Sequence, residues 1–92
     1  MKKQFPSIAK LVKDKRKELR ISQYSVSFDL GFQARGQFIS NLERGLCSIP
    51  KKDIAKLSSI LKVDQDEIIT AMIEDYALEL YSYKEQNIER IY

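Results

Sequence analysis

The residues of this chain best suited to chemistry are hydrogen-bonding side chains, not nucleophiles. There is no histidine, and Cys47 is the one cysteine. A thiol with no histidine beside it lacks the base that would activate it. One cysteine also falls short of the roughly four ligands of a structural zinc site. No glycine-rich phosphate loop or metalloprotease pattern occurs. An enzyme is therefore not expected, and neither is a cofactor or metal. Residues 35–44 instead gather Arg35, Gln37, Ser40, Asn41 and Arg44. Guanidinium and carboxamide groups form paired hydrogen bonds with a flat partner edge, which is the chemistry of recognition.

The charge distribution says what such a surface could face. The 92 residues carry a net charge of +3. Residues 1–52 hold 12 Lys/Arg against 4 Asp/Glu, net +8, and residues 53–92 hold 4 against 9, net −5. The first part suits a polyanion and the second does not. Composition is 43% apolar and 32% charged, with three glycines and two prolines. That profile belongs to one folded, mostly helical domain. A single cysteine and no long apolar run imply a reducing, cytoplasmic setting without signal peptide or membrane span.

Periodicity divides the chain into five helices. Pro6 and Ser7 start the first, expected over 7–19, with Ile8, Leu11, Val12 and Leu19 on one stripe. Ser22 reads as the N-cap of a helix over 23–30 that ends at Gly31. A third runs from residue 33 or 34, or only from beyond Gly36, to Arg44 and closes at Gly45, with Phe38, Ile39 and Leu42 on its apolar side. Ser48 is the expected cap of the fourth, with Pro50 in its first turn and Ile54, Leu57, Ile60 and Leu61 facing the core. Asp64, with Glu67 three residues on, forms a capping box for the fifth. Its pattern runs on to residue 92 as one bent helix or two, and its carboxylates are expected on a solvated face.

The stretch LVKDKRKELRISQYSVSFDLGFQARGQFISNLERG, residues 11–45, resembles the Cro/C1-type helix-turn-helix family of phage repressors and small bacterial regulators. The likeness rests on three parts. Arg16 is followed by Ile21-Ser22-Gln23; Val26-Ser27 and Leu30-Gly31 frame the second helix; and Ile39-Ser40-Asn41-Leu42-Glu43-Arg44-Gly45 ends the third. Residues 46–69 continue it through Pro50, Ile54-Ala55-Lys56-Leu57, Leu61-Lys62-Val63, Asp64 and Ile68. The chain departs from the commonest pattern in two places. Two extra residues lie between Gly31 and Ile39, where Phe32-Gln33-Ala34-Arg35-Gly36-Gln37-Phe38 looks like a known variant, and Ser27 stands where alanine is usual.

The resemblance implies an all-α, five-helix lambda-repressor-like domain over 1–69 and a sequence-specific transcriptional regulator, a repressor by expectation, of double-stranded DNA. A helix fits the major groove, where its N-terminal part and the next turn reach base edges. That assigns base reading to Arg35, Gln37 and Asn41. Phosphate contacts fall to Gln23, Ser40, Arg44, Lys51 and Lys52. In the family the positions of Arg16 and Glu43 are joined by a structural salt bridge, so Glu43 is not read as a catalytic acid.

Residues 70–92 lie beyond the family motif. Ile69, Ile73, Tyr76, Leu80 and Tyr83 recur at spacings of four and three, close to the seam of two packed helices. They are the expected interface of a homodimer on an inverted-repeat operator. The competing reading has this segment complete the monomer's own core. A second functional reading is an antitoxin or phage accessory protein whose C-terminal helix binds another protein.

Overall fold

The computed structural model describes residues 4–31 and 36–91. These residues form five α-helices and one short 3-10 turn, with no strand among them. The helices are α1 (Pro6–Glu18), α2 (Gln23–Leu30), α3 (Gly36–Glu43), α4 (Ile54–Leu61) and α5 (Gln65–Ile91). The 3-10 turn, Lys51–Asp53, leads directly into α4. None of the described helices is long and apolar enough to cross a membrane.

Local signals set α2. The Ser22 side chain accepts the Ser25 N–H at 3.0 Å, and Gly31 closes the helix at φ 92°. A left-handed residue with no Cβ ends a helix at little cost. Gly45, at φ 78°, does the same after α3. The end of α4 has no glycine. Lys62 takes φ 56° there, with Val63 N–H bonded to the Ser58 carbonyl and Ser58 Oγ to the Val63 carbonyl.

Two sequence expectations about helix starts are corrected. Ser48 does not cap α4, and Pro50 precedes the helix as the extended residue before the 3-10 turn. Proline's fixed φ starts that tighter turn, so α4 begins only at Ile54. At the start of α5 it is the Asp64 carbonyl that receives the Glu67 N–H, at 3.0 Å.

The core is one cluster. Ile8 and Val12 of α1, Val26 and Leu30 of α2, Ile39 and Leu42 of α3, Leu57 and Leu61 of α4, and Ile68 and Ala71 of α5 meet in it. α1 is the central helix and packs on α3, α4 and α5, while α2 packs on α3 and α4. α3 and α5 thus share α1 as a support, with α2 the further partner of α3 and α4 that of α5. α5 stays within the domain past residue 69, because Ala71 and Asp75 are buried. Beyond that it projects, and its 27 residues, about 40 Å at 1.5 Å per residue, account for the molecule's 51 Å long dimension.

Asp75 overturns the expectation that the carboxylates of α5 are all solvated. It is 2% exposed. Its two oxygens accept the N–H groups of Ser7 and Ile8 at 2.7 and 3.0 Å. α1 has no side-chain cap of its own, so a carboxylate 67 residues away satisfies its first free donors. The negative charge also complements the positive end of the helix dipole.

Candidate nucleic-acid interface

α3 divides into two faces. Ile39 and Leu42 are fully buried. Gln37, Ser40, Asn41 and Arg44 recur at spacings of three, one and three, so they share the opposite side of a 3.6-residue period. Gln37 and Arg44 are exposed, and Ser40 and Asn41 half-buried. Arg44 stays in register because its N–H still bonds to the Ser40 carbonyl at 3.0 Å. Gln37 Nε2 donates to Asn41 Oδ1 at 3.1 Å, which holds the two amides side by side. Arg35 lies outside the described residues.

The far end of α3 is fixed by a buried ion pair. Arg16 Nε donates to Glu43 Oε2 at 2.6 Å and Arg16 Nη2 to Glu43 Oε1 at 3.0 Å. Their side chains are only 14% and 4% exposed. Glu43 raises the pKa of the guanidinium, chiefly through these hydrogen bonds. Arg16 Nη1 also donates to the Ile21 carbonyl at 2.9 Å, in the turn that leads into α2. Gln23 Nε2 donates to Glu43 Oε1 at 3.1 Å. The start of α2, the end of α1 and the end of α3 thus share one polar knot.

The family resemblance implies a phosphate contact for Gln23. One of its side-chain N–H groups is directed inward to Glu43, leaving the second N–H and the backbone N–H at the helix start for any outside anion. Lys51 and Lys52 are exposed on the 3-10 turn, a separate element from α3. The backbone N–H groups of Gln4 and Phe5 both bond to the Gly45 carbonyl, at 2.9 and 3.1 Å. That tie, like the Asp75 cap, carried no signal in the sequence.

Cys47 is half-buried, and burial raises its thiol pKa above the usual value. A raised pKa disfavours the reactive thiolate. Among the described residues, no group of three or more His, Cys, Asp or Glu side chains is placed to hold a metal ion. A shallow groove of about 590 Å³ between α1 and α5 is lined by charges of both signs, including Lys10, Lys15, Asp66 and Glu74. None of the hydrogen-bonding residues of α3 lines it.

On α5 the five residues of the expected seam are all exposed, from 39% for Ile69 to 66% for Tyr83. The residues that pack on the parent domain, Ile68, Ala71 and Asp75, occupy another side of the same helix. Comparison of the chain with models of known families, with functionally described proteins and with solved structures gives no match.

Proposed function

We propose that this chain is a sequence-specific double-stranded DNA-binding protein, a transcriptional regulator of the repressor kind, that acts as a homodimer. The helical order suits a lambda-repressor-like arrangement, with α2 and α3 as the helix-turn-helix and α3 as the recognition helix. One observation carries the reading: α3 presents a hydrogen-bonded pair of amides, the exposed Gln37 and the half-buried Asn41, on the side opposite its buried Ile39 and Leu42.

An amide can match the donor–acceptor pattern of a base edge in the major groove. Arg44, Ser40, Lys51, Lys52 and the start of α2 at Gln23 supply the phosphate contacts, which position the helix without reading sequence. The Arg16–Glu43 knot sets the angle between α2 and α3. One recognition helix makes few base contacts, and a twofold pair doubles them on an inverted repeat. α5, with its exposed apolar seam and acidic balance, forms the pair away from the DNA.

The exposed seam also suits the second reading, a protein partner of a different kind bound to α5. Titration of the purified chain into random-sequence and selected duplexes at stated salt separates the two. Tighter binding to one sequence supports the regulator. Equal, weak binding to every duplex speaks against it.

A further inference from the structure

We propose that two copies of this chain pair through α5 as a parallel, in-register two-stranded coiled coil, oriented by Glu79 of each copy against Lys84 of the other. The inference rests on the homodimer reading above and adds its direction, register and orienting charges.

The exposed seam has the heptad spacing. Ile73 and Leu80 take the a positions, and Ile69, Tyr76 and Tyr83 the d positions. Spacings of four and three over 15 residues keep one stripe facing a partner helix as the two wind about each other. The buried residues Ile68, Ala71 and Asp75 lie on a separate side, so the stripe is not the face that holds the parent domain.

The occupant follows from area and charge. Covering this stripe on two helices removes on the order of 1,000 Å² from water, the lower bound of a specific interface. A second α5 offers the same stripe with the same period. The flanks then choose the direction. Glu79 falls at g and Lys84 at e of the next heptad, and both are exposed. In a parallel, in-register pair, g of one helix lies beside the following e of the other, so Glu79 meets Lys84 twice by symmetry. An antiparallel pair sets g beside g and e beside e. Glu79, at g, and Lys84, at e, then do not meet each other across the pair.

Parallel pairing also places both domains at one end of the coil. α5 meets α1 and α4 through a side other than the exposed stripe, so a coil built on the stripe leaves those contacts in place.

Disulfide trapping of the full chain tests the direction. Ile73→Cys and Leu80→Cys are made singly in a Cys47→Ser background and oxidised without DNA. A parallel, in-register coil brings each residue to its own counterpart, so both variants should crosslink readily as dimers. An antiparallel coil has its twofold axis at one point along the helix, so at most one position can crosslink. Sedimentation of charge variants tests the register. Glu79→Lys or Lys84→Glu alone should weaken the dimer about three- to tenfold, and the double reversal should return it to within about twofold. A crosslink at one position or none, a double reversal no better than the singles, or a wild type monomeric at tens of micromolar would overturn the proposal. Neither experiment contains DNA, so its failure leaves the recognition face of α3 to stand or fall separately.

Discussion

Arg16 and Glu43 are 27 residues apart in sequence and meet in a two-pronged ion pair, at 2.6 and 3.0 Å, with both side chains largely buried. The pair joins the last turn of α1 to the last residue of α3. Through the Ile21 carbonyl and Gln23 it also holds the start of α2. A buried pair of this kind need not be more stabilising than an apolar one, because both ions lose water. Its effect is to fix one geometry between the two helices that would meet DNA.

Breaking it on one side should therefore be costly. Arg16→Ala strands the Glu43 carboxylate, and Glu43→Ala strands the guanidinium. Each should lower stability by about 3 kcal/mol or more. The double variant should lose clearly less than the sum of the two. Urea unfolding of the four proteins measures this directly. Additive losses would mean that the two groups do not act together.

The Asp75 cap makes a second demand. Asp75→Ala removes both acceptors from the Ser7 and Ile8 N–H groups, leaving donors without partners at a buried helix start. A loss of about 1–3 kcal/mol is expected. Asp75→Asn keeps one acceptor and should lose less. Thermal unfolding would show it. An Asp75→Ala protein that melts with the wild type would show that the cap is not formed in solution.

These two contacts mark where sequence reasoning reached and where it stopped. The bounds of α2 were legible because Ser22 and Gly31 act on their own neighbours. The apolar period likewise puts Ile8 and Val12 on the stripe of α1 and Leu57 and Leu61 on the core face of α4, and all four are core. Asp75 was not legible, because its partners lie 67 and 68 residues away and a buried carboxylate has the same letter as a solvated one. The 3-10 turn at Lys51–Asp53 was missed because proline starts either kind of helical turn. Gln23 was read outward by resemblance, and only the position of Glu43 turns part of its amide inward. The exposure of Ile73 and Tyr76 decides that the seam of α5 faces away from the core, a matter the period alone left open.

Arg44 should act on affinity and not on sequence preference. It is exposed one residue past the end of α3, in register with Ser40. Arg44→Ala should weaken binding to all duplexes alike and flatten the salt dependence by about one unit of log–log slope. Fluorescence anisotropy over a salt series reads both. An unchanged slope would remove Arg44 from the phosphate contacts.

Charge placed on the seam should separate pairing from folding. Tyr76→Glu with Leu80→Glu puts carboxylates at two exposed positions. The variant should remain as helical as wild type by circular dichroism. It should sediment as a weaker dimer and lose operator affinity sharply. A variant that dimerises as well as wild type would place the interface elsewhere.

The most direct test of the account is in-vitro selection of duplex sites by the wild type, Gln37→Ala and Asn41→Ala proteins at one salt concentration. The wild type should enrich an inverted repeat. Each variant should fold normally and lose preference at particular base positions in both half-sites, with about 1–3 kcal/mol of discrimination at stake for a bidentate pair. No enrichment by the wild type, or the same enriched sequence from all three proteins, would contradict the claim that this face of α3 reads DNA.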